Sequence, residues 1–79
     1  MATDRFGFRL GTQKAAINDI LLQNKNKWLS NEDVRQELNR RGYTLKKGED
    51  RSNHLNALVH DVKVADMRVI GGLNRYKLK

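Results

Sequence analysis

The hydrophobic period of this chain changes once near its C-terminal end, and the change limits what the last third can become. Between Asp50 and Lys63, Leu55, Leu58, Val59 and Val62 form one apolar stripe. At ~100° per residue these four gather within about 100° of arc, which predicts an amphipathic helix over 50–63. Val64 would fall on the polar face, so the helix is predicted to stop near Lys63. Farther on, Tyr76 and Leu78 alternate with Arg75, Lys77 and Lys79, the period-two pattern of a strand with one buried face. Gly71-Gly72-Leu73-Asn74 reads as a connecting loop, because its glycines and Asn tolerate positive φ. The expectation is a helix running into a hairpin with strands Met67–Ile70 and Arg75–Lys79, basic along both strands and at the tip.

Two helices are predicted upstream. The first runs from about Thr12, an acceptable N-cap, to Asn24, with Ala16, Ile17, Ile20, Leu21 and Asn24 at helical spacing. Asn24-Lys25-Asn26-Lys27 is a polar turn. Trp28-Leu29 is too short for an independent strand but able to add a few hydrogen bonds to a nearby sheet. The second helix starts at Ser30 as N-cap with Asp33 at N3, close to a capping box, and Leu29 and Val34 take the two positions of a hydrophobic staple. Glu32 and Asp33 in the first turn and Arg40 and Arg41 in the last suit the helix dipole. Val34 and Leu38 form its buried side, and Gly42 suits the left-handed end. Tyr43 and Leu45 are predicted to drop into the core from a connection made basic by Lys46, Lys47 and Arg51. That connection is longer than the turn of a tight helix-turn-helix. Trp28, Tyr43 and Tyr76 all read as core aromatics.

A chain of 79 residues makes one domain, and one this small buries only ~60% of its unfolded surface. It contains no Cys, so neither disulfides nor thiolate metal sites can staple it. A cytoplasmic, nucleoid-associated location is expected. Met1-Ala2-Thr3-Asp4-Arg5 has no apolar run behind it, so no signal peptide is expected, and no apolar stretch approaches the ~20 residues of a membrane span. His54 and His60 sit ~240° apart around a helix and cannot share a metal. Ser30 and Ser52 have better roles as caps than as nucleophiles, and Gly71-Gly72 lacks the Lys and following helix of a phosphate loop. No catalytic residue, metal or cofactor is predicted. The formal net charge of +7 instead points to a polyanionic partner.

Three helices, a short strand before the second and a C-terminal hairpin make an α+β order that resembles the winged helix-turn-helix superfamily. The resemblance rests on Lys27-Trp28-Leu29-Ser30 opening the second helix, on the apolar spacing of the third, and on Gly71-Gly72-Leu73-Asn74-Arg75-Tyr76-Lys77-Leu78. It covers residues 12–79 and is architectural. It implies that the third helix is a recognition helix contacting base edges of duplex DNA from Arg51, Asn53, His54, Asn56, Ala57 and His60, and that the hairpin is a wing contacting phosphates through Arg68, Arg75 and Lys77.

The chemistry of these positions agrees with that role. Asn addresses the N6 and N7 edge of adenine and Arg the O6 and N7 edge of guanine, while Ala57 suits a thymine methyl. Asn53 and Asn56 are read as surface neighbours able to address adjacent base pairs. Ser52 or the helix amides suit one phosphate, and Lys46 and Lys47 add charge beside them. Asp61 limits how far DNA extends along the helix. If six phosphates were neutralised, affinity would fall ~10³-fold between about 50 and 200 mM salt. Residues 1–11 are expected to form a flexible or partly packed arm anchored by Phe6 or Phe8, with Arg5 and Arg9 in solvent. The other reading of this segment is a basic arm in a minor groove.

The expected function is that of a small transcriptional regulator, its size suiting a phage or mobile-element gene. A homodimer is compatible with so few base contacts. The rivals are a protein-interaction winged helix, docking on a partner such as a polymerase or nuclease, and an RNA-binding domain. The bland alternative for the polar helix face and the basic hairpin is a solvated surface whose charges protect the sheet edge.

Overall fold

Two of the three described helices begin on side-chain caps. The computed structural model describes residues 2–45 and 51–79. It contains helices α1 (Gln13–Gln23), α2 (Asn31–Arg40) and α3 (Ser52–His60), with strands β1 (Leu29–Ser30), β2 (Ala65–Ile70) and β3 (Leu73–Leu78), in the order α1-β1-α2-α3-β2-β3. The fold is α+β, as expected. Thr12 Oγ1 accepts the Ala15 amide at 3.3 Å to start α1. At its end the Asn24 side chain and amide both return to the Ile20 carbonyl.

In α2 the capping box is complete: Ser30 Oγ accepts the Asp33 amide at 3.3 Å, and the Asp33 carboxylate accepts the Ser30 amide at 3.0 Å. Asp is long enough to replace the usual Glu here. At the other end Gly42 takes φ +97°. Its amide reaches Asn39 O and the next amide, of Tyr43, reaches Leu38 O, so the last carbonyls of α2 are satisfied by a left-handed glycine stop.

α3 is shorter than its pattern predicts. The Asp61 and Val62 amides both return to Ala57 O and the Val64 amide returns to Leu58 O, while Lys63 adopts φ +60°. This turn redirects the chain so that Ala65 can pair with Leu78. Val62, read as the last member of the apolar stripe, is therefore exposed, and Val64, read as a polar-face position, packs against the core.

The sheet is antiparallel in the order β1-β3-β2. The short strand expected at Trp28-Leu29 forms one residue later, at Leu29–Ser30: Leu29 pairs with Tyr76 and Ser30 with Arg75. The hairpin is tighter than predicted. Gly71 and Gly72, at φ +61° and +80°, make the whole turn, and Leu73 and Asn74 belong to β3. Two consecutive left-handed residues give a turn whose twist matches the strands, so a longer loop is not needed.

The core joins Ile17, Ile20 and Leu21 of α1, Val34 and Leu38 of α2, Leu55 and Leu58 of α3, and Ala65, Tyr76 and Leu78 of the sheet, with Leu45 beneath the α2 end. Each fully buried aliphatic side chain here contributes ~1.5–3 kcal/mol relative to exposure. Tyr76 is fully buried and Tyr43 half-buried against the core, as expected, but Trp28 stands outside the core cluster. The N-terminal segment packs through both Phe6 and Phe8, around a turn closed by the Thr3–Arg9 bridge and the Asp4 carboxylate. The connection carrying Lys46 and Lys47 lies outside the described residues.

Candidate nucleic-acid interface

The N-terminal half of α3 opens onto a groove made with the first turn of α1 and the N-terminal segment. Arg9, Lys14, Arg51, Asn53, His54 and Ala57 line it, together with Phe8, Thr12, Gln13 and Ile17. No carboxylate is among the described residues that line it. Thr12 caps α1 so that Lys14 stands in its first turn, facing the start of α3. Asn53 is exposed at this groove, Ala57 half-exposed below it, and His60 exposed farther along the helix. Arg51 is the residue before the first turn of α3 and makes no side-chain cap bond. Arg51 and Ser52 are half-buried. The groove thus gathers cations from three separate parts of the chain beside an exposed amide side chain, an arrangement suited to a phosphate backbone with one polar reader.

His54 is held rather than free. Its Nε2 lies 2.9 Å from Asn18 Oδ1, and Asn18 Nδ2 donates to Asp4 Oδ2 at 2.9 Å. Asn18 is buried on the core side of α1. Phe8 meets the imidazole edge-on, with ring centroids 5.2 Å apart. Burial pushes the His54 pKa below its ordinary value of 6.5 and the Lys14 ammonium adds to this, outweighing the Asp4 carboxylate and a bond with the Lys14 backbone. Burial alone would raise the Asp4 pKa, but bonds from the Asn18 side chain and from the Phe8, Phe6 and Gly7 amides together hold it below 3.8. This chain of contacts fixes the N-terminal segment and α3 on α1, and so fixes the width of the groove.

Asn56 does not share the surface with Asn53. Its Oδ1 accepts the Tyr76 hydroxyl at 2.9 Å, which turns it toward the sheet. The hairpin cations also stand elsewhere. Register pairs Asp66 with Lys77 and Arg68 with Arg75, and alternation puts these four on the sheet face opposite Tyr76 and Leu78, hence opposite α3. On that face Arg68 and Lys77 both lie over the Trp28 ring, at 5.3 and 4.8 Å from its centroid. Trp28 is therefore the platform for two cations. Arg75 is half-buried, 3.7 Å from the Asp33 carboxylate of α2. The hairpin tip itself is apolar: Val69, Ile70 and Leu73 surround the two glycines and are exposed.

The structure brings together Arg51, Asn53, His54 and Ala57, with Ser52 next to them in the chain, leaves His60 farther along the helix, and sets Asn56 and the hairpin cations on other surfaces. Gln13 and Lys14 join the groove without any signal in the sequence, since an isolated polar pair in the first turn of a helix carries no periodic cue. Arg9 was visible only as one of two arginines in a glycine-containing arm. Among the described residues no helix is long and apolar enough to cross a membrane. Comparisons with protein-family models, with curated proteins and with solved structures found no match.

Proposed function

We propose that this chain is a small winged-helix protein that binds duplex DNA, with α3 as the recognition helix and the β2–β3 hairpin in the position of a wing whose cations lie off the contact. The α1-β1-α2-α3-β2-β3 order with its β1-β3-β2 sheet supports the winged-helix reading. The observation that carries the DNA reading is the groove in which Arg9, Lys14 and Arg51 flank the exposed Asn53. A major groove ~12 Å wide admits an α-helix. In this pose Asn53 reads an adenine edge, Ala57 faces a thymine methyl, and Arg9 and Lys14 grip phosphates on one strand. His60 and Ser52 lie at the two ends of the contact. His54 and Asn56 act as positioning residues, holding α3 against α1 and the sheet. Regulation of transcription by site occupancy is the role that fits a domain of this size.

The outer sheet face contributes differently. Arg68, Arg75 and Lys77 point away from the α3 surface, so they raise the overall positive field rather than touch the same stretch of duplex. Three groove cations predict a log–log salt slope of about −3, a loss of ~40-fold in affinity between about 50 and 200 mM salt, whereas six contacts would give ~10³-fold. Duplex titration with Arg9→Ala/Lys14→Ala and with Asn53→Ala tests the assignment. The first should weaken all sequences alike and flatten the salt slope, and the second should relax sequence preference. Unchanged binding in both variants contradicts it.

A further inference from the structure

We propose that the free edge of β2 pairs with the same edge of a second copy, making an antiparallel dimer centred on Met67. This inference stands on the hairpin alone and does not rest on DNA binding. Among the described residues β2 has a neighbour on one side only. The two-residue turn closes on the hydrogen-bonded pair Ile70–Leu73, so Arg68 and Asp66 also bond inward to β3. The Lys79 amide donating to Val64 O at 3.1 Å follows the same alternation. The amides and carbonyls of Ala65, Met67 and Val69 consequently point to the open edge, without hydrogen-bond partners among the described residues.

Charge selects the partner and the register. Asp66 and Arg68 are both exposed, Arg68 leaving its place over the Trp28 ring to reach the edge, and Asp66 makes no ion pair with the described residues of its own chain. With the two-fold axis at Met67, Met67 meets Met67 of the second copy and Ala65 meets Val69. Those are the hydrogen-bonded pairs that the outward amides require. Asp66 then lies opposite Arg68, twice by symmetry, in the closer non-hydrogen-bonded positions. Moving the axis to Asp66 or Arg68 puts like charges opposite each other, and moving it to Val69 loses the ion pairs. The edge charges that repel other strands therefore complement this strand itself.

The pairing also covers Val69, 63% exposed, and Met67, 39% exposed. At the far side of the sheet β1 is two residues long and runs directly into α2, so the assembly closes at a dimer instead of extending.

Sedimentation equilibrium of the full chain, from about 5 µM to ~0.5 mM, tests this. The expected result is a monomer–dimer equilibrium in which Asp66→Arg and Arg68→Asp each weaken dimerisation by about tenfold or more, while the double exchange Asp66→Arg/Arg68→Asp restores it. Circular dichroism of each variant checks that the single exchanges leave the chain folded. A monomer at every concentration would overturn the proposal, as would a dimer indifferent to these charges.

Discussion

Three segments of the chain meet at the buried side chain of Asn18. It is buried on α1, donates to Asp4 and meets His54, and through them it ties the N-terminal segment and α3 to the first helix. Asn18→Leu fills the space but leaves the Asp4 and His54 groups without this partner. It is expected to cost ~1–3 kcal/mol in a denaturant titration. His54 also makes stability depend on pH. Its pKa is lower folded than unfolded, so the unfolded state binds the extra proton. Stability is complete above the unfolded value of 6.5 and falls as pH drops through 6.5 toward the folded pKa. Thermal melts from about pH 5 to 8 should show that fall, and His54→Gln should flatten it. None of this was legible in the sequence. The period of α1 shows which positions face inward, but Asn18 owes its place to a partner 36 residues away, and helical spacing carries no information about such partners.

At the scale of elements the sequence was most informative where a local rule acts alone. The Ser30–Asp33 box, the Gly42 stop and the alternation of Tyr76 and Leu78 all appear as expected, because each follows from a few neighbouring residues. Ser30→Ala should destabilise the protein by about 1 kcal/mol in the same titration. The ends of α3 and of the hairpin were misread because two elements compete for the same residues there. β2 pairing from Ala65 onward ends α3 early, and two left-handed glycines let Leu73 and Asn74 enter the sheet. A Cβ on Gly72 would meet nothing within 4 Å, so the cost of replacing it is backbone strain and not collision. Gly72→Val is expected to lose ~1–2 kcal/mol, while Gly71→Asn, which tolerates the same region, should be close to neutral by thermal melt.

For the whole molecule, the net charge of +7 predicted a polyanionic partner but not where the charge would act. The fold sets two groups of its cations on different surfaces. Arg9, Lys14 and Arg51 meet at the groove beside α3, and Arg68, Arg75 and Lys77 lie across the sheet on the other side. The two groups look continuous along the sequence only because strand alternation and the turn after α3 cannot be read as directions in space. The same separation leaves the β2 edge clear of the α3 groove, so dimerisation and DNA contact need not compete. The central claim is that the α3 groove holds duplex DNA with about three phosphates. Its most direct test is the affinity of the intact chain for duplex DNA measured between about 50 and 200 mM salt. The account predicts a loss of ~40-fold over that range, reduced to a few-fold in Arg9→Ala/Lys14→Ala. No duplex binding at low salt, or a slope unchanged by that double substitution, would contradict it.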